Sequence, residues 1–365
     1  MPSLYIDGVN APEEIKNQLK VLSKDILFER EVTKGGNGYL FFGENKILGT
    51  TIAVKFYYWG GEEEFHAEPT TLATIVSPHV LSVQNAGLID GDWAYFLTPY
   101  CENGDMDDVI ERTEIGNIKA LDLTCELLMG VGSLHEQRYL HRDLKPANIY
   151  IGETNQSIIG DFGSIKLVPE GLDNIPASSH AVLYRPPESI TTNSYGFEGD
   201  IYQAGIILYQ LLGGHLPYDE VSWLSASERK HYNQLGTEAD KSIFADQCIM
   251  TKIKKGKLLN LNSLPPWVPM NLKRAIKKAT HISPQKRFPT VSAFHVQLNN
   301  LKPTVPDWII EAGVPTLRDV TSYKVFLAEH NVTIKKSRAM GQWRKDNSFT
   351  ANNIAEAVEQ INQNN

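Results

Sequence analysis

The stretch YLHRDLKPANIYI, residues 139–151, decides the reading of this chain. Tyr139 and Leu140 at one end, and Ile149, Tyr150 and Ile151 at the other, have the β-branched and aromatic character of buried strand. Between them stand His141, Arg142, Asp143, Lys145 and Asn148. Burying ionisable groups is costly unless each finds a partner, so the cluster predicts chemistry or a satisfied polar network. Downstream, IIGDFGSI at 158–165 is a second strand-like run with a lone aspartate, Asp161, before a glycine. Two short strands joined by a turn are expected to bring Asp143, Lys145, Asn148 and Asp161 to one mouth. Asn148 and Asp161 offer hard oxygens of the kind Mg2+ takes alongside phosphate oxygens and water. Asp143 is then free to orient a hydroxyl, and Lys145 to neutralise developing phosphate charge.

Upstream, TKGGNGYLFFG at 33–43 places Gly35, Gly36 and Gly38 between two strand patterns, and IAVKF at 52–56 holds Lys55 as the one charge in an apolar strand. A glycine-rich hairpin lets backbone N–H groups approach phosphates, and a lysine in a strand needs an anionic partner. Both ends of the sequence therefore point to a nucleotide.

Composition bounds the rest. With 365 residues, 42% of them hydrophobic, the chain can bury a large core. A net charge of −8 argues against chain-wide affinity for nucleic acid or anionic lipid. The start, MPSLYIDGVNAPEEIKNQ, has neither a basic nor an apolar signal region, so a soluble cytoplasmic protein is expected. Cys101, Cys125 and Cys248 are widely spaced and odd in number, which reads as reduced packing thiols.

Residues 11–24 predict one polar helix. Strand patterns follow in ILFEREV, YLFFG and TTIAVKFYY, then in HVLSVQNAG and WAYFLTPY. Near residue 105 the pattern turns helical: NIKALDLTCELLMGVGSLHEQ is apolar at i, i+3 and i+4, and DIYQAGIILYQLLGG is apolar nearly all round. After Leu301, KPTVPDW marks a joint, followed by a mixed segment and a final helix, NNIAEAVEQI, with Thr350 as its expected N-cap.

Taken together, these motifs resemble the eukaryotic-type serine/threonine protein kinases over about residues 26–300. H-R-D-x-K-x-x-N stands as His141, Arg142, Asp143, Lys145 and Asn148, and D-F-G as Asp161, Phe162 and Gly163. YRPPE with Glu188, GDIYQAG with Asp200 and SPQKRF with Arg287 follow in the family's order. The resemblance implies an α+β, bilobal protein-kinase fold: a β-rich N-lobe over 26–100 and a mainly helical C-lobe over 101–300. A one-helix extension at 1–25 precedes it, and a small accessory domain at 301–365 follows.

It also implies ATP and Mg2+ as cofactors and a protein substrate with a serine or threonine hydroxyl, with autophosphorylation in the activation segment. Asp143 resembles the base that takes or orients the hydroxyl, Lys145 the γ-phosphate contact, and Asn148 with Asp161 the metal ligands. Lys55 resembles the lysine of the α- and β-phosphates, partnered by Glu68, with Leu72 at the apolar position four further on. Thr33, Gly35, Gly36, Gly38 and Leu40 would cover the nucleotide, and Ala53 would face it from the third strand. The hinge is LTPYCENGDM, with Thr98 as gatekeeper, Pro99, Tyr100 and Cys101 beside adenine, and Asp105 near the ribose. Glu188 and Arg287 would pair, and Asp200 would brace the catalytic loop.

Three positions depart from the pattern. Thr33 replaces the first glycine of the phosphate loop, which stiffens it. Pro69 directly follows Glu68, so the helix there should begin at about Glu68 or kink, with Glu64 as the alternative partner of Lys55. Ala181 stands where the family has a threonine that contacts the catalytic aspartate and lysine. Ser178 and Ser179 lie in the activation segment, where Arg142 could receive a phosphate. Two other readings fit the same residues: a pseudokinase scaffold that binds nucleotide without transfer, and a small-molecule phosphotransferase, which would lack Glu188, Asp200 and Arg287. In the tail, Lys335, Lys336, Arg338, Arg344 and Lys345 surround Trp343. The tail is expected to dock a protein partner; neither nucleic acid nor a membrane is the expected partner.

Overall fold

A computed structural model describes residues 4–32, 38–62, 66–89, 92–112, 115–177, 181–328, 331–339 and 341–364. Helix α1 (Glu13–Leu22) comes first, then strands β1 (Ile26–Val32), β2 (Gly38–Asn45) and β3 (Thr51–Tyr58). Alternation sorts β2 and β3 into two faces. Phe41, Ile52, Val54 and Phe56 are buried on one face in a cluster shared with Ile15 and Leu19 of α1. Leu40, Phe42, Ala53 and Lys55 line a cavity on the other. The helix of the N-terminal extension is thus packed into the core of the first lobe. Helix α2 (Ala67–Thr74) takes Pro69 in its first turn, where a missing N–H breaks no helical bond. Strands β4 (Asn85–Leu88) and β5 (Trp93–Pro99) complete an antiparallel sheet of order β1-β2-β3-β5-β4. The run 79–87 is strand only at its end. Val80 instead bridges Ile159, and the Leu81 N–H donates to the Ile159 carbonyl at 2.9 Å, stitching the lobes together.

The second lobe begins with α3 (Met106–Glu111) and the long α4 (Asn117–Glu136). Four short strands then carry the site: β6 (Tyr139–Leu140), β7 (Ile149–Ile151), β8 (Ser157–Ile159) and β9 (Lys166–Leu167), paired as β6 with β9 and β7 with β8. β10 (Asn174–Pro176) pairs with β11 (Ser194–Gly196) across α5 (Pro187–Thr191). Helix α6 (Phe197–Leu211) is buried at every residue from Gly199 to Leu211, as its all-round apolarity predicts. Helices α7 (Ala226–Tyr232), α8 (Glu238–Lys254), α9 (Met270–Ala279) and α10 (Val291–Leu301) follow, and α6 is packed against α4 and α9.

Beyond Leu301 the strands β12 (Trp308–Glu311), β13 (Val314–Leu317), β14 (Thr321–Ala328), β15 (Asn331–Arg338) and β16 (Arg344–Lys345) form a meander. Helix α11 (Ile354–Asn364) covers one face through Val358 and Ile361. Thr350 does not cap it. Asn353, adjacent to the first helical residue, accepts from the Glu356 N–H at 2.9 Å, and Thr350 is tied back to Gln360.

Candidate active site

The loop after β6 is held from beneath by α6. Asp200 in its first turn is fully buried. Its Oδ2 accepts from the His141 N–H at 3.0 Å and faces His135 Nε2 at 2.8 Å, while Oδ1 accepts from the Arg142 N–H at 3.0 Å and the Tyr195 hydroxyl at 2.8 Å. Four partners satisfy the carboxylate, and that is what makes its burial tolerable. Burial pushes Asp200 upward, but hydrogen bonding and charge from His135 outweigh it and hold the group below its ordinary range. Burial pushes His141 the opposite way, favouring the neutral ring. Its Nε2 faces the Gly160 carbonyl at 3.1 Å and its Nδ1 the Asp143 N–H at 3.4 Å. A carbonyl only accepts and an N–H only donates, so the proton sits on Nε2.

Arg142 adopts a φ of +67° and Asp161 one of +53°. Each left-handed non-glycine residue costs about 1–3 kcal/mol and persists only where its surroundings over-determine it. Arg142 is pinned by Asp200 and by its own Nε, which donates to the Ser164 carbonyl at 2.7 Å; Nη1 reaches the Pro176 carbonyl at 3.3 Å.

Register brings the reactive groups together. Ile149 pairs with Ile159, so Asn148 and Asp161 flank one hairpin, and the Gly160 N–H donates to the Asn148 carbonyl at 2.9 Å. Asn148 Nδ2 donates to the Asp143 carbonyl at 2.8 Å and carboxylate at 3.1 Å, which leaves Oδ1 as the side chain's remaining acceptor. Lys145 Nζ lies 2.8 Å from Asp143 Oδ2. The Asp161 carboxylate faces the cavity and has no hydrogen-bond donor among the described residues. An amide oxygen and a carboxylate are the hard donors that a divalent ion takes together with phosphate oxygens. No group of three or more His, Cys, Asp or Glu that could hold a metal ion occurs among the described residues.

Across the cleft, Lys55 Nζ sits 2.9 and 2.7 Å from the two Glu68 oxygens. Pro69 therefore leaves the pair intact: starting α2 just before Glu68 absorbs the conformational restriction. Lys55, Glu68, Asp143, Lys145 and Asp161 all border a cavity of about 550 Å³, within the range of ligand sites. Gly38, Leu40, Ala53, Thr98, Pro99, Tyr100 and Cys101 are in its wall. Asp105 is not. It caps α3, accepting from the Asp108 N–H at 3.2 Å within a capping box. Asn148 also stands behind the wall, facing Asp143. Thr33, Gly35, Gly36, Glu64, Ser178 and Ser179 lie outside the described residues.

Tyr150 and Phe42 also stand in the wall and carry no sequence signal. Tyr150 forms part of the wall in a strand, where alternation alone assigns no role, and burial lifts its phenol above the ordinary value. The rings of Phe42 and Tyr100 pack on each other with centroids 4.5 Å apart, and the Arg30 guanidinium lies 4.5 and 5.1 Å from their centres. At the far end of the lobe, Arg287 makes two bonds of 2.7 and 2.6 Å to Glu188, fixing the end of the 161–188 segment to α6 and the turn before α10.

A five-stranded lobe presenting a lysine–carboxylate pair, facing a helical lobe whose loop offers aspartate, lysine and asparagine, is the architecture of a protein kinase. The family Protein kinase domain matches residues 28–298, and the chain belongs to that family. It is 26% identical over 271 residues to the probable serine/threonine-protein kinase PknB of Lactococcus lactis, covering 72% of this chain and 39% of that protein. It is 29% identical over 203 residues to serine/threonine-protein kinase pkn2 of Myxococcus xanthus, covering 52% and 24%. A 32% identity over 158 residues links it to 3-phosphoinositide-dependent protein kinase B of Dictyostelium discoideum, covering 42% and 17%. The chain thus spans less than half the length of these relatives. No helix among the described residues is long and apolar enough to cross a membrane.

Proposed function

We propose that the chain is a serine/threonine protein kinase that moves the ATP γ-phosphoryl group to a protein hydroxyl, its own activation segment included. One observation carries this reading. Lys145 borders both the 550 Å³ cavity beneath Lys55 and a second cavity of about 270 Å³, walled by Ala181, Val182, Leu183 and Tyr218. The first suits a nucleotide. The second has the apolar walls that suit side chains of a polypeptide, and Asp143 stands beside the shared lysine.

Asn148 Oδ1 and Asp161 would hold the magnesium ion, and Lys55, kept in place by Glu68, would meet the α- and β-phosphates. Bound there, Mg–ATP supplies the phosphoryl group and neutralises part of its charge. Asp143 orients the incoming hydroxyl and takes its proton, and Lys145 meets the charge that develops on the transferred group. Positioning accounts for most of the rate, since no covalent intermediate is required. A cytoplasmic setting accords with the three free thiols; burial pushes Cys101 and Cys125 to about 11, so they stay protonated.

The test is transfer from labelled ATP and Mg2+ to the chain itself and to a generic protein. Wild type should label, and Asp161→Asn should not. Asp143→Asn should fall by about 10²- to 10⁴-fold, the range of a general base. Tight nucleotide binding without transfer would leave only a scaffold, and labelling of small metabolites alone would replace the protein substrate.

A further inference from the structure

Gln203 is an amide inside a buried, mainly apolar helix, 2% exposed, and all of its hydrogen-bonding capacity is spent. Its Oε1 accepts from the Leu144 N–H at 2.9 Å and the Tyr195 hydroxyl at 3.0 Å. Its Nε2 donates to the Arg142 carbonyl at 3.2 Å and the Tyr184 carbonyl at 3.3 Å. The neighbours fix the amide's orientation, because an N–H cannot accept and a carbonyl cannot donate. Arg142 and Leu144 flank Asp143, so one side chain grips both peptide groups on either side of the aspartate's Cα. Of the two remaining bonds, one comes from Tyr195 and the other runs to Tyr184, within the 161–188 segment. Ala181, which borders Asp143 across a cavity of about 10 Å³, has no polar side-chain atom with which to tie that segment to the loop.

We propose that Gln203 is a positioning residue: it aims Asp143 and couples that aim to the seating of the segment end at Tyr184. Asp200, one helical turn earlier on α6, holds the Arg142 N–H, so Arg142 in its strained conformation is clamped from both sides. The inference rests on the kinase reading, and its test is built to separate the two.

Gln203→Leu keeps the bulk and removes every bond. Its kcat should fall on the order of 10²-fold, the cost of a small misplacement at the reacting centre. KM for nucleotide should stay within about twofold, the pattern of an interaction that counts in the transition state. Gln203→Glu keeps the acceptor and loses both donors. Its activity relative to wild type should recover as pH falls, because the protonated carboxyl can donate again. Hydrogen exchange at the Leu144 amide should quicken in Gln203→Leu while α4 amides keep their protection, a readout independent of turnover. Wild-type kcat in Gln203→Leu, or unchanged Leu144 protection, overturns the proposal. If wild type transfers no phosphate the kinase reading fails, and the exchange measurement still decides the clamp. Should the leucine variant unfold, the pH-dependent recovery of the glutamate variant decides it instead.

Discussion

His141 is fully buried beside Asp200, Asp143 and Asp161, yet burial outweighs their charges and depresses its folded pKa below 6.5. The unfolded chain therefore binds more protons than the folded one between the depressed value and about 6.5. Stability contributed by the neutral ring is present above about pH 6.5 and is lost as pH falls through the folded value. Asp200, also depressed, adds a loss of the same sign at lower pH, below 3.8. Urea midpoints measured from pH 8 to pH 5 should decline, and His141→Asn should flatten that decline; a parallel decline in the variant would remove His141 as its source. The sequence exposed this residue because a histidine between apolar strand patterns demands an explanation. Gln203 carries the same kind of signal, a lone amide in an apolar helix three residues after Asp200, and its meaning needed the distances. Asp105 shows the opposite limit: its side chain caps a helix, which the hinge pattern alone does not reveal.

At the scale of elements, periodicity located the strands and helices well wherever one face is buried. It misread 79–84, whose apolar residues pack between the lobes rather than within a sheet. Helix α1 was legible as a helix, but its partner was not, since nothing local says that Ile15 and Leu19 cover the first sheet. Both are fully buried, so Leu19→Ala should cost about 2–5 kcal/mol, read as a lower urea midpoint with unchanged slope. The tail sheet carries a liability of its own. Lys324 pairs with Lys335, and Lys335 with Lys345, setting three like charges side by side on neighbouring strands. Lys324 is relieved by Glu311 at 3.1 Å, and Lys335 lies over the Phe326 ring at 5.0 Å. Lys345 is exposed, so Lys345→Glu should stabilise the chain by about 0.2–1 kcal/mol, with the gain shrinking in high salt. A loss of stability in low salt would mean that the row is not repulsive.

The whole molecule is joined where composition suggests a division. Helix α4 begins after Gly116, whose missing side chain leaves the helix N-terminus without a local cap. Asp307, far along the chain, supplies one: its Oδ1 accepts from the Ile118 N–H at 3.1 Å. Around it, Asn117 Nδ2 donates to the Trp267 and Pro306 carbonyls at 3.2 and 2.9 Å, Lys302 pairs with Asp122, and Trp308 stacks on Trp267. The other end of α4 carries His135, which meets Asp200 beneath the loop after β6. One helix therefore links the tail to Asp143. Asp307→Ala should cost about 0.5–2 kcal/mol, the price of a lost N-cap, and Asp307→Asn should retain most of it because the amide keeps an acceptor. If the tail were a separate unit, unfolding of Asp307→Ala would split into two transitions with the main one unmoved. A single transition at a lower urea midpoint, followed both by Trp fluorescence and by nucleotide binding, is the expected result, and it would make removal of 301–365 a perturbation of the catalytic lobe itself.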